Sequence, residues 1–147
     1  MLNASKLKTF LQDAIVAVPE IKKYYPVVSD EDMASETRDV SINDGIFLVG
    51  VLPSFGIKAK NEDNWKHNNR LQLFFVKKFS SRDEDLMDLY DETGAVVLKF
   101  QAWLLKEHST FPKKCIFKDI DFSSFNADPV RDYNSSNGYM VTFELNT

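Results

Sequence analysis

The 147-residue chain is short of the residues that most often mark a chemical site or a covalent cross-link. It has one cysteine, Cys115, and two histidines, His67 and His108. A single cysteine excludes an intramolecular disulfide and suits a reducing compartment. A zinc site takes about four closely spaced ligands, and no C-x-x-C or H-x-x-x-H pair occurs. A nucleophile–base dyad of Cys115 with either histidine is a minor alternative, because no local signature supports it.

Phosphate-binding and calcium-binding motifs are also missing. The five glycines are too scattered for a Walker loop or a G-x-G-x-x-G turn. The acidic run from Asp83 to Glu92 has Asp88 where an EF-hand loop requires glycine. We therefore expect no catalytic, cofactor-binding or metal-binding residues, and interpret the acids at 83–85 as the first turn of a helix, where negative charge is stabilised.

Long hydrophobic runs and a strong charge excess are absent as well. The longest central apolar run, Ile46–Leu52, is far shorter than the roughly 20 residues of a spanning helix. Gln12 and Asp13 interrupt the apolar stretch that a signal peptide needs, so we expect a cytoplasmic protein. A net charge of −4 argues against a general nucleic-acid binder, which usually shows a basic excess.

The chain does contain enough apolar residues to form a hydrophobic core. Hydrophobic residues make up 44% of the chain and aromatic residues 13%, which predicts a single folded domain over residues 1–147. Helical spacing of apolar residues predicts one helix over about Ala4–Val18 and another over about Ser81–Lys106. The predicted strands, in chain order, are Ile46–Leu52, Leu71–Phe79, Lys114–Phe122 and Tyr139–Leu145.

These elements predict an α+β fold with the order α-β-β-α-β-β. We expect a mainly antiparallel sheet of about four strands with two helices packed on one face. The nearly continuous apolar character of Leu71–Phe79 favours a central strand covered on both faces. The long helix is apolar on more than one side, which indicates deep packing or a partner. The residues of its second apolar side are Met87, Leu98, Ala102 and Leu105.

Two segments of opposite charge are predicted to be loops. Residues 29–44 carry six acids against Arg38 alone, which predicts a solvated loop or an acidic contact surface. Residues 58–69 predict a polar loop in which Trp65 is of the type enriched at interfaces. The candidate interface residues are Lys58, Lys60, Trp65, Lys66, His67 and Arg70 on the basic side and Asp30, Glu31 and Asp32 on the acidic side. Opposite charges on one chain favour head-to-tail association of copies, which can close into a ring.

The basic stretch Lys58–Arg82 leaves a second hypothesis open. With Trp65 and His67 nearby, it could contact nucleic acid, as in a small adaptor or nucleic-acid-binding accessory protein of a mobile element. Pairing with an acidic protein surface is the favoured interpretation because the chain as a whole is negative.

The order of elements resembles that of the tail terminator, or tail-completion (minor tail), proteins of tailed phages. The stretches that carry the resemblance are Arg70–Phe79, leading into a helix, and the final Asn137–Leu145. In that family a small α+β domain forms a ring, often a hexamer, that caps the tail tube and joins it to the head. The resemblance implies a structural protein without catalytic residues, located in the virion once assembled. Its implied partners are further copies of itself and other tail or connector proteins.

Overall fold

The computed structural model describes residues 2–80, 85–110, 119–133 and 135–146. In chain order the elements are α1 Ala4–Ala17, β1 Ile21–Val27, α2 Met33–Glu36, β2 Ile46–Val51, β3 Phe55–Asn61, β4 Asn64–Lys78, α3 Leu86–Ser109, β5 Ile120–Tyr133 and β6 Ser136–Asn146. Single 3₁₀ turns at Asp30–Asp32 and Ile42–Asp44 flank α2. Within the described ranges, no helix has both the length and the apolarity needed to cross a membrane.

The strands form one mixed sheet with the order β1-β2-β4-β6-β5. β1 and β2 run parallel, whereas the neighbours from β2 to β5 are antiparallel. β3 pairs with the first part of β4, beyond the point where β2 ends. Because β6 reaches β4 only from Asn68 onwards, the β3–β4 hairpin extends past the sheet. We call this extension, residues 55–67, the arm.

Apolar cores lie on both faces of the sheet. Since strand side chains alternate between faces, β4 directs Leu73 and Phe75 toward α1 and α3, and Phe74 and Val76 toward α2. All four of these residues are fully buried, so the prediction that this strand is covered on both faces is confirmed. The core on the helical side is the larger one and includes Leu7, Phe10, Leu11, Phe100, Leu104 and Phe143.

The predicted architecture is wrong, although the structure is α+β. Over the described residues, the sheet has six strands and is mixed, rather than four strands and mainly antiparallel, and three helices accompany it rather than two. The parallel strand β1 was missed because only its two terminal residues, Ile21 and Val27, are buried. Its interior, with two lysines and a proline, shows no hydrophobic alternation. The start of β4 was missed because its sequence is largely polar, and β3 was missed although Phe55, Ile57 and Ala59 alternate along it.

Two further boundaries differ from the prediction. β5 continues through Asn126–Pro129, where the sequence predicts a turn-rich loop. Residues 81–84 and 111–118, where the predicted helix start and most of a predicted strand fall, lie outside the described residues. As described, α3 begins at Leu86, and its N-cap is Asp85, whose Oδ1 accepts a hydrogen bond of 2.8 Å from the Met87 N–H.

Candidate functional site

The arm is a two-stranded antiparallel ribbon with a tight turn at Glu62 and Asp63. The Oδ1 of Asn61 accepts a hydrogen bond of 3.2 Å from the Asp63 N–H, which is the local bond of an Asx turn. The longer strand of the arm, β3, has seven residues and spans about 23 Å at the usual rise per residue. The segment predicted as a polar loop, 58–69, is therefore regular structure that projects from the sheet.

One face of the arm is apolar, and no core of the described residues lies behind it. The pairs Ile57↔His67 and Ala59↔Trp65 place these four residues on the same face, which Phe55 shares. The exposed fractions are 55% for Phe55, 67% for Ile57 and 52% for Trp65. Large side chains exposed together in this way are typical of a surface that a partner covers.

The imidazole of His67 joins the aromatic side chains of this face. Its ring centroid lies 5.1 Å from that of Trp65 and 5.6 Å from that of Phe55, and both contacts are edge-to-face. The Nδ1 of His67 is buried and has no hydrogen-bond partner in the described part of the chain. The predicted interface residues Trp65 and His67 thus lie together, in one aromatic cluster.

The other predicted basic residues lie in the same hairpin or at its base. The backbone of Lys58 pairs with that of Lys66, and Lys60 lies next to the turn. Three lysines against two acids give the arm a net charge of +1, and Arg70 at its base adds another positive charge. The arm therefore combines an apolar face with a weak positive charge.

The base of the arm is fixed by Asn69, which is fully buried. Its Oδ1 accepts a hydrogen bond of 3.2 Å from the Leu2 N–H, and its Nδ2 donates one of 3.3 Å to the Leu145 carbonyl. One side chain thus links the N-terminal segment, β4 and β6 at the point where the arm leaves the sheet.

The acidic segment 29–44 packs against the body of the protein. Met33, Thr37 and Val40 are buried, so the prediction of a solvated loop is wrong for these positions. Thr37 donates a hydrogen bond of 2.6 Å from its hydroxyl to the Met33 carbonyl, which closes the short helix α2. Sequence reasoning missed this packing because the buried residues are few and are separated by charged ones.

Several acids of this segment already have intramolecular partners. Asp30 accepts a hydrogen bond of 2.7 Å from the Tyr133 hydroxyl, and burial together with this carboxylate raises the pKa of Tyr133 to about 12. Asp32 accepts from the Ser29 N–H at 3.2 Å. Glu31 is exposed. Of the three predicted acidic interface residues, two therefore have structural roles within the chain.

A cleft of about 450 Å³ at the base of the arm brings together one residue from each predicted interface segment. Asp30 and Arg70 both line it, along with Val28 and Gln72. The structure therefore places the acidic and basic segments of the same copy next to each other at this point, whereas Trp65 and His67 lie farther out on the arm.

The outer side of α3 is a second exposed apolar surface. The exposed fractions are 69% for Met87, 66% for Leu98 and 47% for Leu105. Ala95 and Ala102 are also exposed and lie between them. Most of this side was predicted from the sequence. The apolar face of the arm was not predicted, although the alternation of Phe55, Ile57 and Ala59 indicates a strand with one apolar face.

Residues with metal-binding or nucleophilic chemistry do not converge in the described ranges. These ranges contain no group of three or more histidine, cysteine or acidic residues placed to hold a metal ion. Cys115, the nucleophile of the minor dyad alternative, lies outside the described residues. The chain matches no protein-family model, no curated protein and no solved structure.

Proposed function

We propose that the chain is a structural, non-enzymatic protein that self-associates through the arm, as a ring-forming component of a phage or prophage tail. The observation that supports self-association is the projecting hairpin with its exposed apolar face. The assignment to a tail end or head–tail junction rests on the resemblance in the order of elements. In this role the protein would act by contacts with its own copies and with tail or connector subunits.

The size of the apolar face predicts a weak contact that is strengthened by ring closure. Fully burying one large apolar side chain contributes about 1.5–3 kcal/mol, so the exposed fractions of Phe55, Ile57 and Trp65 together offer roughly 3–5 kcal/mol. Association costs an estimated 4–15 kcal/mol or more. One arm alone is therefore insufficient, and each copy must both give and receive a contact, as head-to-tail rings require.

The test is the molar mass of the purified protein, measured by light scattering over a wide range of concentration. We expect assembly that strengthens with concentration, and closed rings in electron micrographs. Ile57→Ser should weaken association by about 5- to 30-fold, because it removes about two thirds of one buried side chain's contribution. The matched control is Val16→Ser on α1, where the valine is also highly exposed.

The result that contradicts the proposal is a monomer at every concentration and salt level. Equal weakening by Ile57→Ser and Val16→Ser would show that the arm has no special role. Self-association into two-fold dimers without rings would exclude the tail-ring function while leaving the arm as an interface.

A second candidate function is that of a nucleic-acid-binding accessory protein. The observation in its favour is that exposed Trp65 lies on a projecting ribbon that also carries three lysines, a combination suited to stacking on single-stranded bases. This function predicts that a labelled single-stranded oligonucleotide binds at low salt, and that Trp65→Ser and added salt both weaken binding. No change in fluorescence anisotropy at low salt would exclude it.

A further inference from the structure

We propose that the arm of one copy docks on the outer side of α3 of another copy, with Trp65 seated in the cleft beside Gly94. This inference rests on the self-association proposed above and names the surface that receives the arm. It follows from the shape, the separation and the charge of the two exposed apolar surfaces.

The apolar side of α3 is a straight stripe. Leu98 lies 11 residues after Met87, and Leu105 lies seven residues after Leu98. Both spacings are close to whole numbers of helical turns, so the three side chains lie nearly on one line. The line is about 27 Å long at the helical rise per residue, and the apolar face of the arm spans about 13 Å from Phe55 to Ala59. The stripe is therefore long enough to receive the whole apolar face of the arm.

The cleft beside this stripe, about 420 Å³, is shaped by rigid aromatic walls. Tyr90 and Tyr139 contact each other edge-to-face at 5.9 Å, and the Tyr90 hydroxyl donates a hydrogen bond of 2.6 Å to the Val130 carbonyl. Gly94 lines the cleft, and a Cβ at this position would lie 3.3 Å from the Tyr139 ring. A half-exposed tryptophan on one copy and a preformed cleft on another are the components of an interface hot spot.

The arm cannot reach this cleft in its own copy. Tyr139 pairs with Phe75 in the sheet, and Trp65 lies ten residues farther along β4, which is about 33 Å of extended strand. The arm also points away from the sheet. Contact between Trp65 and the cleft must therefore join two copies, either reciprocally in a dimer or successively around a ring.

Charge distinguishes this cleft from two others in the described part of the chain. Asp91 lines the α3 cleft, and exposed Asp88 lies one helical turn before it. The cleft at the base of the arm contains Arg70 beside Asp30, and a third cleft, beside α1 and β1, contains Lys8. Since the arm has a net charge of +1, the α3 cleft is the most favourable of these three receptors electrostatically.

Site-specific cross-linking between differently labelled copies tests the inference directly. In a Cys115→Ser background, one copy carries Ala59→Cys, which lies opposite Trp65 on the arm, and the other carries Ala95→Cys in the cleft. A short bismaleimide should join the two copies. The matched control replaces Ala95→Cys with Ala17→Cys, at an exposed alanine on α1, and should give no cross-linked pair.

Substitutions on the receptor provide an independent measurement. Leu98→Ser should weaken association by about 5- to 30-fold, because about two thirds of this side chain is available for burial. Val28→Ser, at an exposed valine that lines the two other clefts, should leave association unchanged. Circular dichroism melts would verify that each variant remains folded.

The outcomes separate this inference from the proposed function. Association that depends on Ile57 but not on Leu98, without cross-linking at Ala95, overturns the inference and leaves self-association intact. Weakening by Val28→Ser instead of Leu98→Ser places the arm in another cleft and also overturns the inference. A monomer at every concentration overturns both.

Discussion

Asn69 and Asn68 are adjacent in β4, and we expect them to respond very differently to truncation. Asn69→Ala removes the acceptor of the buried Leu2 N–H and the donor to the Leu145 carbonyl. A buried donor left without a partner costs about 1–3 kcal/mol, and a lost neutral hydrogen bond contributes about 0.5–1.5 kcal/mol more. The free energy of unfolding should therefore fall by about 1.5–4.5 kcal/mol.

Asn68 is the matched control because its buried Oδ1 has no hydrogen-bond partner in the described part of the chain. Removing an amide whose oxygen is already unsatisfied should change the free energy of unfolding by less than about 1 kcal/mol, and could increase it. Urea unfolding at a fixed, low protein concentration measures both variants by linear extrapolation. Equal effects of Asn69→Ala and Asn68→Ala would refute the assignment of Asn69 as the residue that fixes the base of the arm.

Four further substitutions test other parts of the fold. Gly138 has a φ of +154°, and an added Cβ would lie 2.1 Å from a backbone carbonyl of β4, so Gly138→Ala should destabilise by at least about 3 kcal/mol in urea unfolding. Gly56→Ala, where an added Cβ meets nothing within 4 Å, should change stability by less than about 1 kcal/mol. Burial and Asp30 raise the pKa of Tyr133 to about 12, so the folded chain holds this proton more tightly than the unfolded chain, whose tyrosine titrates near about 10. Stability should therefore fall as the pH rises from about 10 to 12, and Tyr133→Phe should reduce that fall in unfolding experiments across this range. Asp85→Ala should cost about 0.5–2 kcal/mol by removing the N-cap of α3, as measured by thermal unfolding, and an unchanged melting curve would contradict this role.

The elements predicted correctly from the sequence are those whose burial is periodic. The predicted helix Ala4–Val18 corresponds to α1, whose N-cap, Asn3, accepts a hydrogen bond of 2.9 Å from the Lys6 N–H. The predicted strand Tyr139–Leu145 lies within β6, where the alternating residues Val141, Phe143 and Leu145 belong to the larger core. A helix or strand with one buried face shows a matching pattern of apolar residues in its sequence. The pattern is kept because a polar side chain at a buried position is costly.

The edge strands could not be predicted in the same way. Among the described strands, β1 pairs with β2 alone, and this parallel pairing depends on contacts distant in sequence. In β5, Asn126, Asp128 and Pro129 are residues that favour turns. An edge strand tolerates these residues because one of its sides needs no partner strand. Proline fits on that side because it has no N–H that would be left unpaired. The local signals therefore indicated a loop where the pairing with β6 imposes a strand.

The arm was missed for a different reason, and that reason bears on function. Phe55, Ile57 and Ala59 do alternate with polar residues, as in an ordinary half-buried strand. An isolated two-stranded ribbon is only marginally stable in water, and in the part of the chain that the structure describes no core packs against the apolar face of this one. Its apolar residues therefore contribute little to the stability of the single copy, whose arm is held at its base by Asn69. Sequence pattern alone cannot distinguish a strand that faces its own core from one that faces another molecule. The structure shows only that, among the described residues, the arm projects from the sheet with its apolar face exposed.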